Sequence, residues 1–257
     1  MKKRGVLYFI VLFIISLNNL FSQISSEKYQ WKSVQIVGGG FVDGIIFHQA
    51  EKGLCYCRTD MGGAYRRNVK TMRWEPLLDW ISYEDNNLMG VESIALDPAD
   101  PDKLYMACGT YTNERTPNGA ILKSNDRGKT FKRIDVPFKM GGNEDGRGNG
   151  ERMAVDPNNG NIIYLGTRHN GLWKSNDAGE TWNRVISFPE VKENPPTNIQ
   201  DADSIRWWKW RNTGSGVIFI LFGKNSGSKG EATPTIYVGA SLKDRENLFK
   251  SSDAGLS

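Results

Sequence analysis

Ser124–Phe131 reads SNDRGKTF, Ser175–Trp182 reads SNDAGETW, and Ser251–Ser257 begins the same string with SSDAGLS. Each reads as a tight turn between two strands, an Asp box. The Asp carboxylate accepts backbone N–H bonds, the Gly takes a conformation costly for other residues, and the closing aromatic packs inward. Asp126, Asp177 and Asp253 are therefore structural, not catalytic. They lie 51 and 76 residues apart, so the second interval carries an insertion. A turn that recurs in this way marks a repeat protein, in which one unit is one supersecondary block.

The segments ahead of these turns also align. GIIFHQAEKGLCYCRT from Gly44, ESIALDPADPDKLYMACGT from Glu92 and ERMAVDPNNGNIIYLGT from Glu151 each read as strand, Pro or Gly turn, strand. With the strand before the turn and the aromatic strand after it, a unit holds four antiparallel strands, A to D. That is a propeller blade, and the expected fold is an all-β propeller with about four blades present. In the first unit the register predicts A over Val42–His48, B over Leu54–Arg58, C over Ala64–Arg67 and D over Arg73–Leu78. The fourth uses Gly216–Phe222, Thr235–Ala240 and Leu248–Lys250, with no strand D before Ser257. YQWKSVQI, Tyr29–Ile36, resembles the D strands TFKRIDV and TWNRVIS, and is expected to be a closing strand of a larger ring, since propellers use a terminus to hide an edge.

The first 22 residues read differently. Lys2, Lys3 and Arg4 precede an apolar run from Gly5 to Leu17, and Ser22 stands before Gln23: the layout of a secretory signal peptide over residues 1–22. Thirteen apolar residues are fewer than the roughly 18 a membrane span needs. The expected organisation is residues 1–22 as leader and 23–257 as an incomplete N-terminal propeller domain, secreted or periplasmic, with no membrane attachment after cleavage. The formal charge is +4, and three cations with no acid lie in residues 1–22, leaving +1 for the rest. Nothing there suggests a nucleic-acid partner. Cys55, Cys57 and Cys108 have neither a disulfide framework nor a metal-ligand spacing, and read as small buried residues; a bridge from Cys108 to either of the others stays open. No metal or cofactor is expected.

In a four-stranded blade the B–C and D–A connections share one face of the disc, and the Asp-box turns mark the other. Aligning the units on Thr59, Thr110 and Thr167 puts Asp60, Tyr111 and Arg168 at equivalent B–C positions. A carboxylate, an aromatic and a guanidinium on one face suit a sugar or polyol. The 29-residue connection Ser187–Ser215 reaches the same face and holds RWWKWR, so Trp207, Trp208 and Trp210 are candidate stacking platforms. Each has a plainer reading. Asp60 before MGG is a good turn residue, the Trp rings can pack on a blade edge, and Arg168 can be an ion-pair partner.

RTDMGGAYR (Arg58–Arg66), preceded by VGGGFVDGIIFH (Val37–His48), is similar to the opening of glycoside hydrolase family 74. NLMGVESIALDP from Asn87, GGNEDGRGNGERMAVDPNNGNIIYLGTRHNGLWKS from Gly141 and TPTIYVGAS from Thr233 resemble it as well. The resemblance implies xyloglucan hydrolases of two seven-bladed propellers with the substrate in the cleft between them. It implies inversion by two aspartates: Asp60 is the general base, and the general acid belongs to a second propeller. Tyr65 of the same motif joins Tyr111, Arg168, Trp207, Trp208 and Trp210 as candidate substrate-binding residues. The implied partner is xyloglucan, and the implied full-length protein is a monomer whose truncation here would be inactive. Asp43 stands where the family commonly has Thr, Cys57 where Ala is common, and the Trp-bearing connection differs. Asp43 reads as a turn residue. The competing reading is a non-catalytic Asp-box propeller, sortilin-like, that binds glycan or protein; a sialidase would need an arginine cluster not evident in the sequence.

Overall fold

The computed structural model describes residues 30–191, 215–242 and 246–257. The chain divides into two compact units, Met1–Val34 and Gln35–Ser257. Residues 30–34 of the first hold no regular element. All described strands belong to the second, in four antiparallel sheets.

Blade 1 is β1 (Val42–Phe47), β2 (Cys55–Thr59), β3 (Ala64–Arg67) and β4 (Trp74–Pro76). Blade 2 is β5 (Val91–Asp97), β6 (Asp100–Cys108), β7 (Ala120–Ser124) and β8 (Lys132–Asp135). Blade 3 is β9 (Met153–Val155), β10 (Ile163–Gly166), β11 (Leu172–Ser175) and β12 (Asn183–Arg184). Blade 4 has β13 (Gly216–Phe222), β14 (Ile236–Ser241) and β15 (Leu248–Ser251). Each strand pairs with its neighbour in sequence, so every blade is a meander, and the propeller expected from the repeat is the fold observed. A single 3-10 segment, Tyr83–Met89, joins blades 1 and 2.

The blades are held by strands buried on both faces. In β6, Leu104, Met106 and Cys108 pack with Leu54, Tyr56, Leu77 and Leu78 of blade 1. The alternate residues, Tyr105 and Ala107, pack with Met153, Val155, Ile163 and Leu165 of blade 3. A third cluster joins Tyr164 and Leu172 to Val217, Ile236 and Val238 of blade 4. The period-2 alternation of a strand therefore feeds two cores, and the sequence reads as an unbroken apolar run. Cys55, Cys57 and Cys108 are all buried free thiols, so the bridge left open by the sequence does not form. Burial pushes the Cys57 thiol up to about 12.

The turns that defined the repeat hold one geometry. Asp126 Oδ1 accepts the Thr130 amide at 2.9 Å, the Ser124 hydroxyl at 2.7 Å and the Lys129 amide at 3.0 Å. Ser124 Oγ accepts from the Gly128 amide at 2.8 Å, and Gly128 has φ +82°. Asp177 and Asp253 repeat the pattern. Each turn also reaches across its blade to the start of strand B: the amides of Arg127, Ala178 and Ala254 donate to the carbonyls of Asp102, Asn161 and Pro234 at 2.8 to 2.9 Å.

Residues 30–36, the described part of the expected closing strand, lie in no strand, and the blade expected to receive that strand is not among the four described.

Candidate functional site

Asp60 opens the turn between β2 and β3. Thr59 Oγ1 shapes that turn by accepting the Gly62 amide at 2.8 Å and donating to Gly63 O at 2.9 Å. Thr167 does the same in blade 3 with Asn170 and Gly171. Two of the three aligned threonines therefore share one turn, whereas the Thr110 amide and hydroxyl donate to Asn87 Oδ1 at 2.9 and 2.7 Å.

A glycine loop then clamps Asp60. The Asp60 amide donates to Phe41 O at 3.1 Å, and the Phe41 amide donates to Asp60 Oδ1 at 2.7 Å. Gly40 has φ +90°, and a Cβ there would stand 3.0 Å from Asp60 Oδ1. A Cβ on Gly62 would overlap the Gly39 carbonyl, and one on Gly38 would overlap the Tyr65 hydroxyl. Only glycine lets the two backbones come this close. Tyr65 is thereby explained as the floor under the loop: it is buried, with its hydroxyl on the Gly39 backbone, and burial pushes its phenol up.

Arg147 faces the second oxygen of Asp60. Its Nε lies 3.5 Å from Asp60 Oδ2 and 3.5 Å from Asp43 Oδ1, and its guanidinium sits over the Phe41 ring at 5.5 Å. Asp43 is not in a turn, as the sequence suggested. It lies in β1 at a bulge: Val42 pairs with Thr59 and Gly44 with Arg58, so Asp43 is the extra residue and its side chain is re-aimed. Its carboxyl is closed off from solvent, and neither oxygen has a hydrogen-bond partner among the described residues. Desolvation raises it to about 6, against the opposing pull of Arg58 and Arg147. Arg58 is engaged elsewhere, with Nε on Glu151 Oε1 at 2.8 Å and its other nitrogens on the carbonyls of Arg147 and Gly150, both at 3.1 Å.

The B–C loops of three blades meet here through glycines. A Cβ on Gly90 would stand 2.8 Å from Thr110 Cα and 3.0 Å from Asp60 O; one on Gly142 would stand 2.7 Å from Gly90 C; one on Gly141 would overlap Arg168. The chain therefore brings Asp60, Tyr111 and Arg168 to one end of the blades. Tyr111 is half-buried, and its hydroxyl accepts from Asn143 Nδ2. Arg168 is fully buried, donating to Glu92 Oε1 at 2.6 Å and to Asp145 O at 2.8 Å, the ion-pair role that the sequence also allowed. Glu92 is shared with Arg152 at 3.1 Å; desolvation alone would raise its carboxyl, but Arg168 and Arg152 outweigh it and hold it well below the usual range. Arg168 ties blade 3 to blade 2 from inside. Trp207, Trp208 and Trp210 lie outside the described residues.

Sequence reasoning missed Arg147, Asn143 and Glu144, which accompany the predicted residues. Glu144 Oε1 accepts the Thr112 amide at 2.6 Å and its hydroxyl at 2.7 Å, and Thr112 Oγ1 lies 3.3 Å from His169 Nε2. The available signal was GGNEDGRGNG, residues 141–150, a polar, glycine-rich D–A connection of the kind that often carries function.

No protein-family model matches the chain. A xyloglucanase of Acetivibrio thermocellus, Xgh74A, is 48% identical over 236 residues, covering 91% of this chain and 27% of its own length. A xyloglucanase of Paenibacillus sp is 47% identical over 243 residues, covering 93% of this chain and 23% of its own. Among solved structures, the GH74 xyloglucanase from Xanthomonas campestris matches with a TM-score of 0.76 and 47% identity, covering 90% of this chain and 31% of that one. The chain spans about a quarter of the length of these curated relatives.

Proposed function

With the chain matching a stretch of glycoside hydrolase family 74 along nine-tenths of its length, we propose that the protein carrying it hydrolyses the β-1,4-glucan backbone of xyloglucan with inversion, and that Asp60 is the general base. The observation that carries this is the identity of nearly one residue in two to proteins named as xyloglucanases. The geometry supports it. Asp60 is fixed through one oxygen by the Phe41 amide, its carboxylate retains 11% exposure, and it stands at the end of the blades where Tyr111 and the glycine-rich connection also lie. A base that activates water must be held in place and still meet it.

Inversion requires a second carboxyl group roughly 6.5 to 9.5 Å away, on the other side of the sugar. Asp43 does not fit that part, because its carboxyl has no access to a ligand. The acid is assigned to a second propeller beyond Ser257. Export fits a polymeric plant substrate: residues 1–22 act as leader, and no described helix is long and apolar enough to cross a membrane.

The test is Asp60→Ala in the protein extended past Ser257, with reducing-end release from xyloglucan as readout. Activity should fall by about 10² to 10⁴-fold, the worth of a positioned base. Unchanged activity would overturn the assignment.

A further inference from the structure

We propose that Asp43 is a positioning residue that sets the pH range over which Asp60 works, acting through the Arg147 guanidinium that the two carboxyl groups share. The inference rests on the reading of Asp60 as base.

The argument starts from the bulge. An extra residue in β1 turns the Asp43 side chain beneath Asp60, where it meets no solvent. Four charged groups face it: Arg58 from β2, Asp60 from the β2–β3 turn, Arg147 from the D–A connection, and Glu151 just before β9. Arg58 and Glu151 satisfy each other at 2.8 Å, and Glu151 Oε2 also takes the Ser93 hydroxyl at 2.8 Å and the Ile94 amide at 2.7 Å. Gly44 makes room for that pair, since a Cβ there would stand 2.8 Å from Glu151 Oε1. Arg58 remains the strongest charge acting on Asp43, with Arg147 next, and Arg147 is the cation that Asp43 shares with Asp60.

Arg147 Nε is equidistant from Asp43 Oδ1 and Asp60 Oδ2, at 3.5 Å each, so the two oxygens lie within twice that distance of one another. One guanidinium cannot fully neutralise two carboxylates. When Asp43 ionises, it draws on Arg147 and adds a negative charge beside Asp60, and both effects favour a proton on Asp60. When Asp43 is protonated, Arg147 serves Asp60 alone. The Asp43 side chain is closed off from solvent, so its influence passes through charge and through Arg147.

Asp43→Asn keeps the shape and removes the charge. In the protein extended past Ser257, kcat/KM on xyloglucan should show an inflection near pH 6, where Asp43 ionises and strengthens Asp60 as a base, and Asp43→Asn should abolish that inflection while leaving the limb below it in place. KM should change little. Arg147→Met, which removes the shared cation, should move the acid limb to higher pH. Titration of 13C-labelled carboxyl groups by NMR reads the same coupling without catalysis, as a step near pH 6 in the Asp60 resonance that Asp43→Asn removes. Absence of that step and inflection in the wild type, or their persistence in a folded Asp43→Asn protein, would overturn the proposal. Full activity in Asp60→Ala would instead remove Asp60 as base, while the NMR titration would still decide whether Asp43 and Asp60 are coupled.

Discussion

Gly39 and Gly62 stand on the same clamp and face opposite constraints. A Cβ on Gly39 meets nothing within 4 Å, whereas one on Gly62 runs into the Gly39 carbonyl. Gly62→Ala must push the glycine loop away from Asp60, and a small misplacement of a catalytic group is costly. We expect kcat/KM on xyloglucan to fall at least about 10-fold with Gly62→Ala, and both activity and melting temperature to stay unchanged with Gly39→Ala. Equal effects would show that the loop does not hold Asp60. Asp43 gives a second prediction. Its carboxyl is raised in the folded state from 3.8 to about 6, so the ionised form destabilises the fold. The penalty is absent below about 3.8, grows through the window between, and is complete above about 6. Asp43→Asn should therefore raise the melting temperature at pH 7 and leave it unchanged near pH 3.5; the reverse order would contradict the burial described here. Asp60 was legible because its motif resembles a family's motif. Asp43 was not, because a bulge depends on the register between two strands, and β1 shows no sign of it in residue types alone.

At the scale of elements, the legible features were those with local causes. β3 and β13 have the boundaries that the repeat predicts, and β1, β2, β14 and β15 differ by single residues at their ends. The turns carry their own chemistry, so SNDRG and SNDAG could be read without knowing what packs around them. Arg168 went the other way: its partner Glu92 is 76 residues distant, and spacing within a loop cannot show which cation a buried carboxylate will take. The turns also make a prediction of their own. Desolvation would raise the Asp177 carboxyl, but hydrogen bonds from Thr181, Ser175 and Glu180 outweigh it and bring it to about 2. The stability it contributes is complete above 3.8 and is lost as pH falls toward 2. Asp177→Ala removes bonds at an exposed turn where water competes, so the cost at neutral pH should be about 1 kcal/mol. Thermal melts should show the variant and wild type converging as pH drops to 2. Activity per folded molecule should be unaffected, since this turn lies on the face opposite Asp60.

At the scale of the molecule, stacking blades about a centre leaves their innermost strands to line it. β1, β5, β9 and β13 border a cavity of about 350 Å³ whose walls include Ile46, Ile94, Val155 and Ile220. Ile45, Phe47 and Leu221 on these strands are all more than half exposed. At the far side of blade 4, β15 has no outer partner among the described residues, and Leu248 on it is 65% exposed. An apolar lining and an open strand edge each favour pairing with another chain. We expect the 257-residue chain to self-associate as concentration rises through the micromolar range in sedimentation velocity. The double variant Phe47→Ser and Leu221→Ser should weaken association without lowering the melting temperature, because both side chains already face water. The chain extended past Ser257 should be monomeric if further blades cover these strands. A monomeric 257-residue chain with a cooperative unfolding transition would show instead that four blades, one lacking its outer strand, suffice to satisfy their own edges.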